Sequence, residues 1–258
     1  MGKFWSLLFF LVPILGTGLF LIAANDRAAP LVNHWFPKDV SQYGYVIDNL
    51  FMLILWLTGI VFIATEVCLA YFMWRYDRTS NHDPVKYTHG SHSLEVVWTI
   101  IPAATLLFIA IYQMNAWADT KINRPLNPGE EIEVNARQFE WRLRYRGPDG
   151  RFNTADDLYT VNDLHVPENE DILIRLKSED VLHSFFLPNL RVKQDAVPGM
   201  MIPVWFKPTE IGAYDLVCAE LCGWGHYKMR GRIIIQSRSD YDAWLANLEK
   251  EQNVYTEQ

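Results

Sequence analysis

Apolar positions along the chain first come in three long blocks and then alternate. Residues 4–24 carry no charge after Lys3, residues 50–74 carry only Glu66, and residues 94–118 carry only Glu95 near their start. A helix rises about 1.5 Å per residue, so about 20 apolar residues cross the hydrocarbon core of a bilayer. The second and third blocks are long enough, and the short polar stretch between them makes them a helical hairpin. The first block leaves two readings open. Ala23-Ala24 is an acceptable cleavage point for a signal peptide, but a signal's apolar core is about 7–15 residues, so 21 uncharged residues favour a retained helix.

From residue 130 the period changes to two. Ile132, Val134 and Ala136 alternate with Glu131, Glu133 and Asn135, the signature of a half-buried strand. Further turn-bounded runs at 158–161, 172–177, 181–187, 201–207, 213–218 and 232–236 predict a sandwich or Greek-key barrel. Ser239 is the expected cap of a last helix, with Tyr241, Trp244, Leu245 and Leu248 on one face. The segment 147–157 reads as a hairpin turn. The chain therefore divides into residues 1–24, a signal peptide or first transmembrane helix; residues 46–118, a transmembrane hairpin; and residues 119–258, an extramembrane all-β domain.

Charge sharpens this division. Residues 1–117 hold 6 basic and 7 acidic side chains, residues 118–258 hold 17 and 23. The first part is membrane-like, and the net charge of −6 on the second excludes nucleic acid as a natural partner and suits a cationic one. Arg75, Arg78 and Lys86 lie between the second and third blocks, against Arg27 and Lys38 before them. That bias puts the hairpin turn in the cytoplasm and the β domain on the outer, periplasmic side of a plasma membrane. Three cysteines in 258 residues do not make a disulfide scaffold.

Two of those cysteines carry the chemistry. The run Cys218-Ala-Glu-Leu-Cys222-Gly-Trp-Gly-His226-Tyr-Lys-Met229, with His183 on an earlier strand, assembles two thiols, two imidazoles and a thioether. Such soft donors favour copper over magnesium or calcium. If both sulfurs bridge, two copper ions share them, with one histidine on each ion and Met229 and a backbone carbonyl completing the set. A Cys218–Cys222 disulfide and a Cys2His2 zinc site use the same residues and stay open as alternatives, although neither employs Met229.

The pattern Cys-Ala-Glu-Leu-Cys-Gly-x-Gly-His-x-x-Met, preceded by Val181-Leu-His183-Ser, resembles subunit 2 of the haem-copper cytochrome c oxidases, and the resemblance runs from about residue 50 to 247. It implies a membrane-anchored cupredoxin-like Greek-key barrel bearing a binuclear copper A centre. The side-chain ligands would be His183, Cys218, Cys222, His226 and Met229. Glu220 would ligate copper through its carbonyl and reach a magnesium or manganese ion shared with subunit 1 through its side chain. Glu95-Val-Val-Trp98-Thr-Ile-Ile-Pro102 looks like the family segment whose glutamate lies at the mouth of a proton path. Lys193-Gln-Asp195-Ala-Val-Pro198-Gly199 resembles the segment beneath the copper loop, with Asp195 just behind the ligands. The implied partners are subunit 1 with its haem and copper, subunit 3, cytochrome c as donor, and lipid.

The chain departs from the family where electrons arrive. The family carries a surface tryptophan after a glutamine there; this chain reads Gln138-Phe139-Glu140-Trp141. Phe139 takes the family position, and Trp141, two residues on, is expected on the same strand face as a second candidate. Arg142, Arg144 and Arg146 follow on one face and oppose a cationic donor, whereas Asp149, Asp156, Asp157, Asp163, Glu179 and Asp180 attract it. No Cys-x-x-Cys-His haem motif is present, so electrons must come from another chain. Two rivals are a metal-free quinol oxidase subunit 2, disfavoured because both cysteines and both histidines are present, and a membrane-bound copper carrier, disfavoured by the Glu95–Pro102 match.

Overall fold

The computed structural model describes residues 2–23, 36–77, 84 and 87–256. Ala24 of the possible cleavage point and Arg27, Arg78 and Lys86 of the charge bias lie outside the described residues. The chain forms two compact units: Met1–Pro37 with Asp48–Met114, and Lys38–Ile47 with Asn115–Gln258.

The first unit is helical. The three apolar blocks become α1 (Gly2–Ala23), α2 (Gly44–Arg75) and α3 (His92–Tyr112), each long and apolar enough to cross a membrane. The helices satisfy their backbone internally, the only arrangement a single segment can adopt in lipid. Their threonines do the same: the hydroxyls of Thr58, Thr99 and Thr105 each donate to the carbonyl four residues earlier, at 2.8–2.9 Å. Ser6 ties α1 to α2 by donating to the Ala70 carbonyl at 2.8 Å.

The second unit is a sandwich of two five-stranded sheets. Its strands are β1 (Glu130–Arg137), β2 (Glu140–Tyr145), β3 (Leu158–Val161), β4 (Asp163–Pro167), β5 (Ile172–Ser178), β6 (His183–Leu187), β7 (Val192–Ala196), β8 (Ile202–Phe206), β9 (Gly212–Cys218) and β10 (Arg230–Gln236). One sheet runs β3-β2-β1-β5-β8, the other β4-β10-β9-β6-β7. The β1–β5 and β4–β10 pairs are parallel; the rest are antiparallel. Ile132, Val134 and Ala136 point inward and are fully buried with Trp141, Leu143, Ile172, Ile174, Phe185, Leu216 and Ile233, as the alternation requires.

Two strands escaped the sequence reading, and both are edges. β4 and β7 end the second sheet, where one flank is unpaired and a polar sequence such as Val-Lys-Gln-Asp-Ala is tolerated. The expected strand at 181–187 begins only at His183, because Val181 and Leu182 lie in the turn before it. Ser237, not Ser239, caps the last helix, α4 (Arg238–Thr256): its hydroxyl accepts from the Asp240 amide at 3.2 Å. Tyr241 of α4 is fully buried, and Trp244, Leu245 and Leu248 pack on the same core. The segment before α2 also joins this unit, with Val40 buried and Ser41 bridged to Pro208.

The arginine row does not face solvent as free cations. Arg144 pairs with Glu133 at 2.6 Å and with Asp157 at 3.4 Å, Arg142 with Glu140 at 2.8 Å, and Arg146 with Glu131. Glu133 lies directly opposite Arg144 in the ladder, the position where opposite charges stabilise a pair of strands. The 147–157 turn spends its acids on its own backbone, with the Asp149 amide donating to Asp156 and the Asn153 amide to Asp157.

Candidate metal centre

Three chain segments meet at one end of the sandwich. His183 opens β6, Cys218 closes β9, and the excursion 219–229 leads into β10. β6 and β9 are neighbours with Phe185 opposite Cys218, which brings His183 beside the loop. The neck of the loop is closed by the Cys218 amide donating to the Met229 carbonyl at 3.1 Å, and the Ala219 amide donates to Ser184 at 3.0 Å. Two glycines shape the interior. Gly223 has φ +133°, a conformation that a side chain strains. At Gly225 a Cβ would come 2.5 Å from the Phe139 ring, so the loop lies flat on that ring only because Gly225 has none.

The predicted donors converge. The two sulfurs are 3.9 Å apart and unbonded. Around Cys218 Sγ lie His183 Nδ1 at 4.0 Å and the Glu220 carbonyl at 3.2 Å. Around Cys222 Sγ lie His226 Nδ1 at 3.6 Å and Met229 Sδ at 3.8 Å. His183, Cys222 and Met229 are buried, and the last two belong to the hydrophobic core. Each sulfur thus has its own imidazole and one further donor.

The protonation of the pair fits a cation site. Burial opposes ionisation of Cys218, but hydrogen bonds from His183 and backbone contacts at Ser184 and Glu220 overcome it and bring the thiol down to about 6. Burial and the adjacent Cys218 sulfur push Cys222 up to about 12. Two thiolates this close repel each other, so the second deprotonates only when a cation sits between them. Thiolate, thioether and imidazole are the donors that soft transition metals select.

Support for the ligands comes from Asp180, which sequence reading counted only among surface acids. Its carboxylate accepts from His183 Nε2 at 2.8 Å, and from the amides of Gln138 at 2.8 Å and Val181 at 2.7 Å. Binding Nε2–H leaves Nδ1 as the nitrogen with its lone pair toward the sulfurs. The signal was present in Asp180-Val-Leu-His183, an acid one turn before a ligand. Gln138 Nε2 donates to the Cys222 carbonyl at 2.5 Å, and the Trp141 ring lies edge-on to His183, with centroids 6.3 Å apart. Asp180→Ala should weaken metal affinity about 10- to 100-fold, the usual cost of losing a ligand's partner. Competition against a chelator of known affinity measures it, and an unchanged affinity would show that the turn alone orients His183.

One sequence expectation needs correction. Trp141 does not share an exposed face with Phe139: Trp141 lies in β2 with 0% of its surface exposed, whereas Phe139 is in the two-residue turn before β2 and is half-buried. The strand alternation that would align them begins only at Glu140. Asp195, expected just behind the ligands, lies in β7 opposite Ser184, the neighbour of His183 in sequence. Glu95 stands in the first turn of α3, where an acid suits the helix dipole, with His92 Nδ1 at 3.8 Å.

Comparison with known proteins agrees with this architecture. Residues 148–238 match the family described as cytochrome c oxidase subunit II, periplasmic domain, and residues 33–116 match its transmembrane domain. The alternative cytochrome c oxidase subunit 2 of Bradyrhizobium diazoefficiens is 31% identical over 253 residues, covering 88% of this chain and 89% of that protein. The cytochrome c oxidase subunit 2 of Thermostichus vulcanus is 27% identical over 267 residues, 81% of this chain and 76% of that protein. Among solved structures, the periplasmic domain of subunit II of cytochrome oxidase from Bradyrhizobium japonicum is 26% identical, covering 48% of this chain and 96% of its own with a TM-score of 0.44. With the transmembrane match spanning α2 and α3, the periplasmic match spanning β3 to β10, and a relative 31% identical over 88% of the chain, the chain belongs to the cytochrome c oxidase subunit 2 family.

Proposed function

We propose that this chain is the electron-receiving subunit of a respiratory terminal oxidase. It accepts electrons from cytochrome c at a binuclear copper A centre and passes them to haem in subunit 1, where oxygen is reduced to water and protons are pumped. The observation that carries this reading is the split donor set: two sulfurs 3.9 Å apart, each with its own imidazole and one further donor. A single tetrahedral zinc site would leave Met229 and the Glu220 carbonyl unused. When bound, the copper pair supplies a one-electron carrier. The chain's own residues do the rest. Cys218 and Cys222 would supply the two thiolates, His183 and His226 an imidazole each, and Met229 and the Glu220 carbonyl the remaining donors, while Asp180 fixes the His183 ring. The Glu220 carboxylate would be available to a magnesium or manganese ion shared with subunit 1.

In this reading residues 46–118 form the membrane hairpin, residues 1–24 a first span or signal, and residues 119–258 the periplasmic copper domain; subunit 3 completes the assembly. The test is metal content and redox behaviour of the purified oxidase. Two coppers should belong to this chain, with the paramagnetic hyperfine pattern of one electron shared by two nuclei, and reduced cytochrome c should bleach that signal. One copper, or a signal that cytochrome c cannot reduce, would overturn the reading.

Glu95 is assigned the cytoplasmic mouth of a proton path. α3 spans 21 residues, about 30 Å at 1.5 Å per residue, so its first turn and the β domain that follows it belong to opposite membrane faces. Glu95→Gln should slow turnover severalfold and leave reduction of the copper centre by the donor unchanged. Stopped-flow traces separate the two phases; equal slowing of both would reduce Glu95 to a structural role.

A further inference from the structure

The copper loop places its most exposed aromatic directly above the half-buried ring at which the family would receive electrons. Trp224 is 81% exposed, although a tryptophan normally buries most of its large apolar surface. Its ring meets Phe139 edge to face, with centroids 5.1 Å apart. Phe139 is itself pressed against the loop, within 3.3 Å of the Cβ position of Gly223 and 2.5 Å of that of Gly225. Trp224 sits between those two glycines, two residues from Cys222 on one side and two from His226 on the other. The aromatic at the usual position is therefore half-covered, and the most exposed aromatic beside it, Trp224, belongs to the metal loop itself.

The charges around the pair are of both signs. Glu140 follows Phe139 in sequence, Asp180 binds the Gln138 amide, and Glu179 donates its amide to the Ala136 carbonyl at 3.0 Å. Against these three carboxylates stand Arg137, opposite Glu140 in the β1–β2 ladder, Arg142, paired with Glu140 and Glu179, and Lys228, which lies over the Tyr227 ring. An exposed aromatic knob on a domain whose net charge is −6 suits one kind of partner, an electron-transfer protein whose exposed cofactor edge is surrounded by lysines.

We propose that Trp224 is the donor-contacting residue of this chain and that Phe139 acts behind it, as the packed ring that holds both Trp224 and the loop. This deepens the electron-receiving reading and rests on it. A central exposed tryptophan is the residue type most often found to dominate a protein interface, and here its backbone leads within two residues to two metal ligands.

The test titrates the intact oxidase with a zinc-porphyrin cytochrome c that carries a lysine ring but cannot donate its electron in the dark, so binding is read without turnover. Trp224→Ala should weaken binding about tenfold and slow electron arrival from native cytochrome c, while the copper spectrum and the onward transfer to haem stay as in the parent. Trp224→Phe should retain most of both, and Trp224→Gln, which keeps a side chain of some reach, should behave as the alanine variant. Phe139→Ala should differ by altering the copper spectrum as well. Wild-type binding and arrival rates in both Trp224→Ala and Trp224→Gln, with the spectrum unchanged, would overturn the assignment while leaving the electron-receiving reading intact. Failure of the parent oxidase to bind or oxidise the cytochrome would overturn both.

Discussion

Cys218→Ser and Cys222→Ser should each abolish electron arrival, whereas Met229→Leu should leave the centre loaded. A serine hydroxyl does not ionise near neutral pH and is a poor ligand for a soft metal, and the remaining sulfur cannot bridge two ions alone. The copper content of either serine variant should fall from two ions per chain to one or none. Met229 differs in kind. A thioether is a weak axial donor whose loss changes the potential more than the affinity. Leucine fills nearly the same volume in the core, where Met229 is 1% exposed, so the packing cost is below about 1.5 kcal/mol. Copper analysis with a potentiometric titration gives the ranking. Loss of copper from Met229→Leu as complete as from either serine variant would refute the assigned roles.

Gly225→Ala should be nearly as damaging, for a steric reason. The backbone at Gly225 is ordinary, with φ −93°, so the added methyl costs nothing in conformation. It does collide with the Phe139 ring, 2.5 Å from where the Cβ would lie. Overpacking of this kind costs about 1–3 kcal/mol, and the strain falls on a loop that carries Cys222 three residues before and His226 directly after. We expect most of the copper signal to be lost. Shrinking the ring should restore it, so Gly225→Ala with Phe139→Leu should be closer to the parent than Gly225→Ala alone, a coupling that a double-mutant cycle measures. Additive losses in the two variants would mean that the loop does not depend on this contact.

Period and composition carried the fold class because both report burial directly. Apolar blocks of more than 20 residues with at most one charge read as membrane spans, and the alternation from Ile132 to Ala136 has one buried face whatever it packs against. The same holds for α4, whose apolar positions Tyr241, Trp244, Leu245 and Leu248 do pack on the core. The metal donors were legible because soft ligands at that spacing are rare and chemically specific. What remained hidden depended on neighbours distant in sequence. β4 and β7 were invisible because an edge strand borrows its pairing from a partner. The arginine row read as a positive face until β1 placed glutamates against it.

By itself, then, the sequence determined three apolar helices, an all-β domain after them, and His183, Cys218, Cys222, His226 and Met229 as the proposed donor set. Only the tertiary structure decided which groups stand behind and above that set. Asp180 became the partner of His183 because the turn before β6 folds back on itself, and Trp141 sank into the core while Phe139 stayed in a turn. Trp224 became the exposed aromatic because Phe139 occupies the floor beneath its loop. Ligand chemistry is a property of residue types and short spacings, which one chain segment can display. Exposure and support are properties of contacts between segments, here the β1–β2 turn, the turn before β6 and the copper loop, and these exist only once the two sheets have closed on each other.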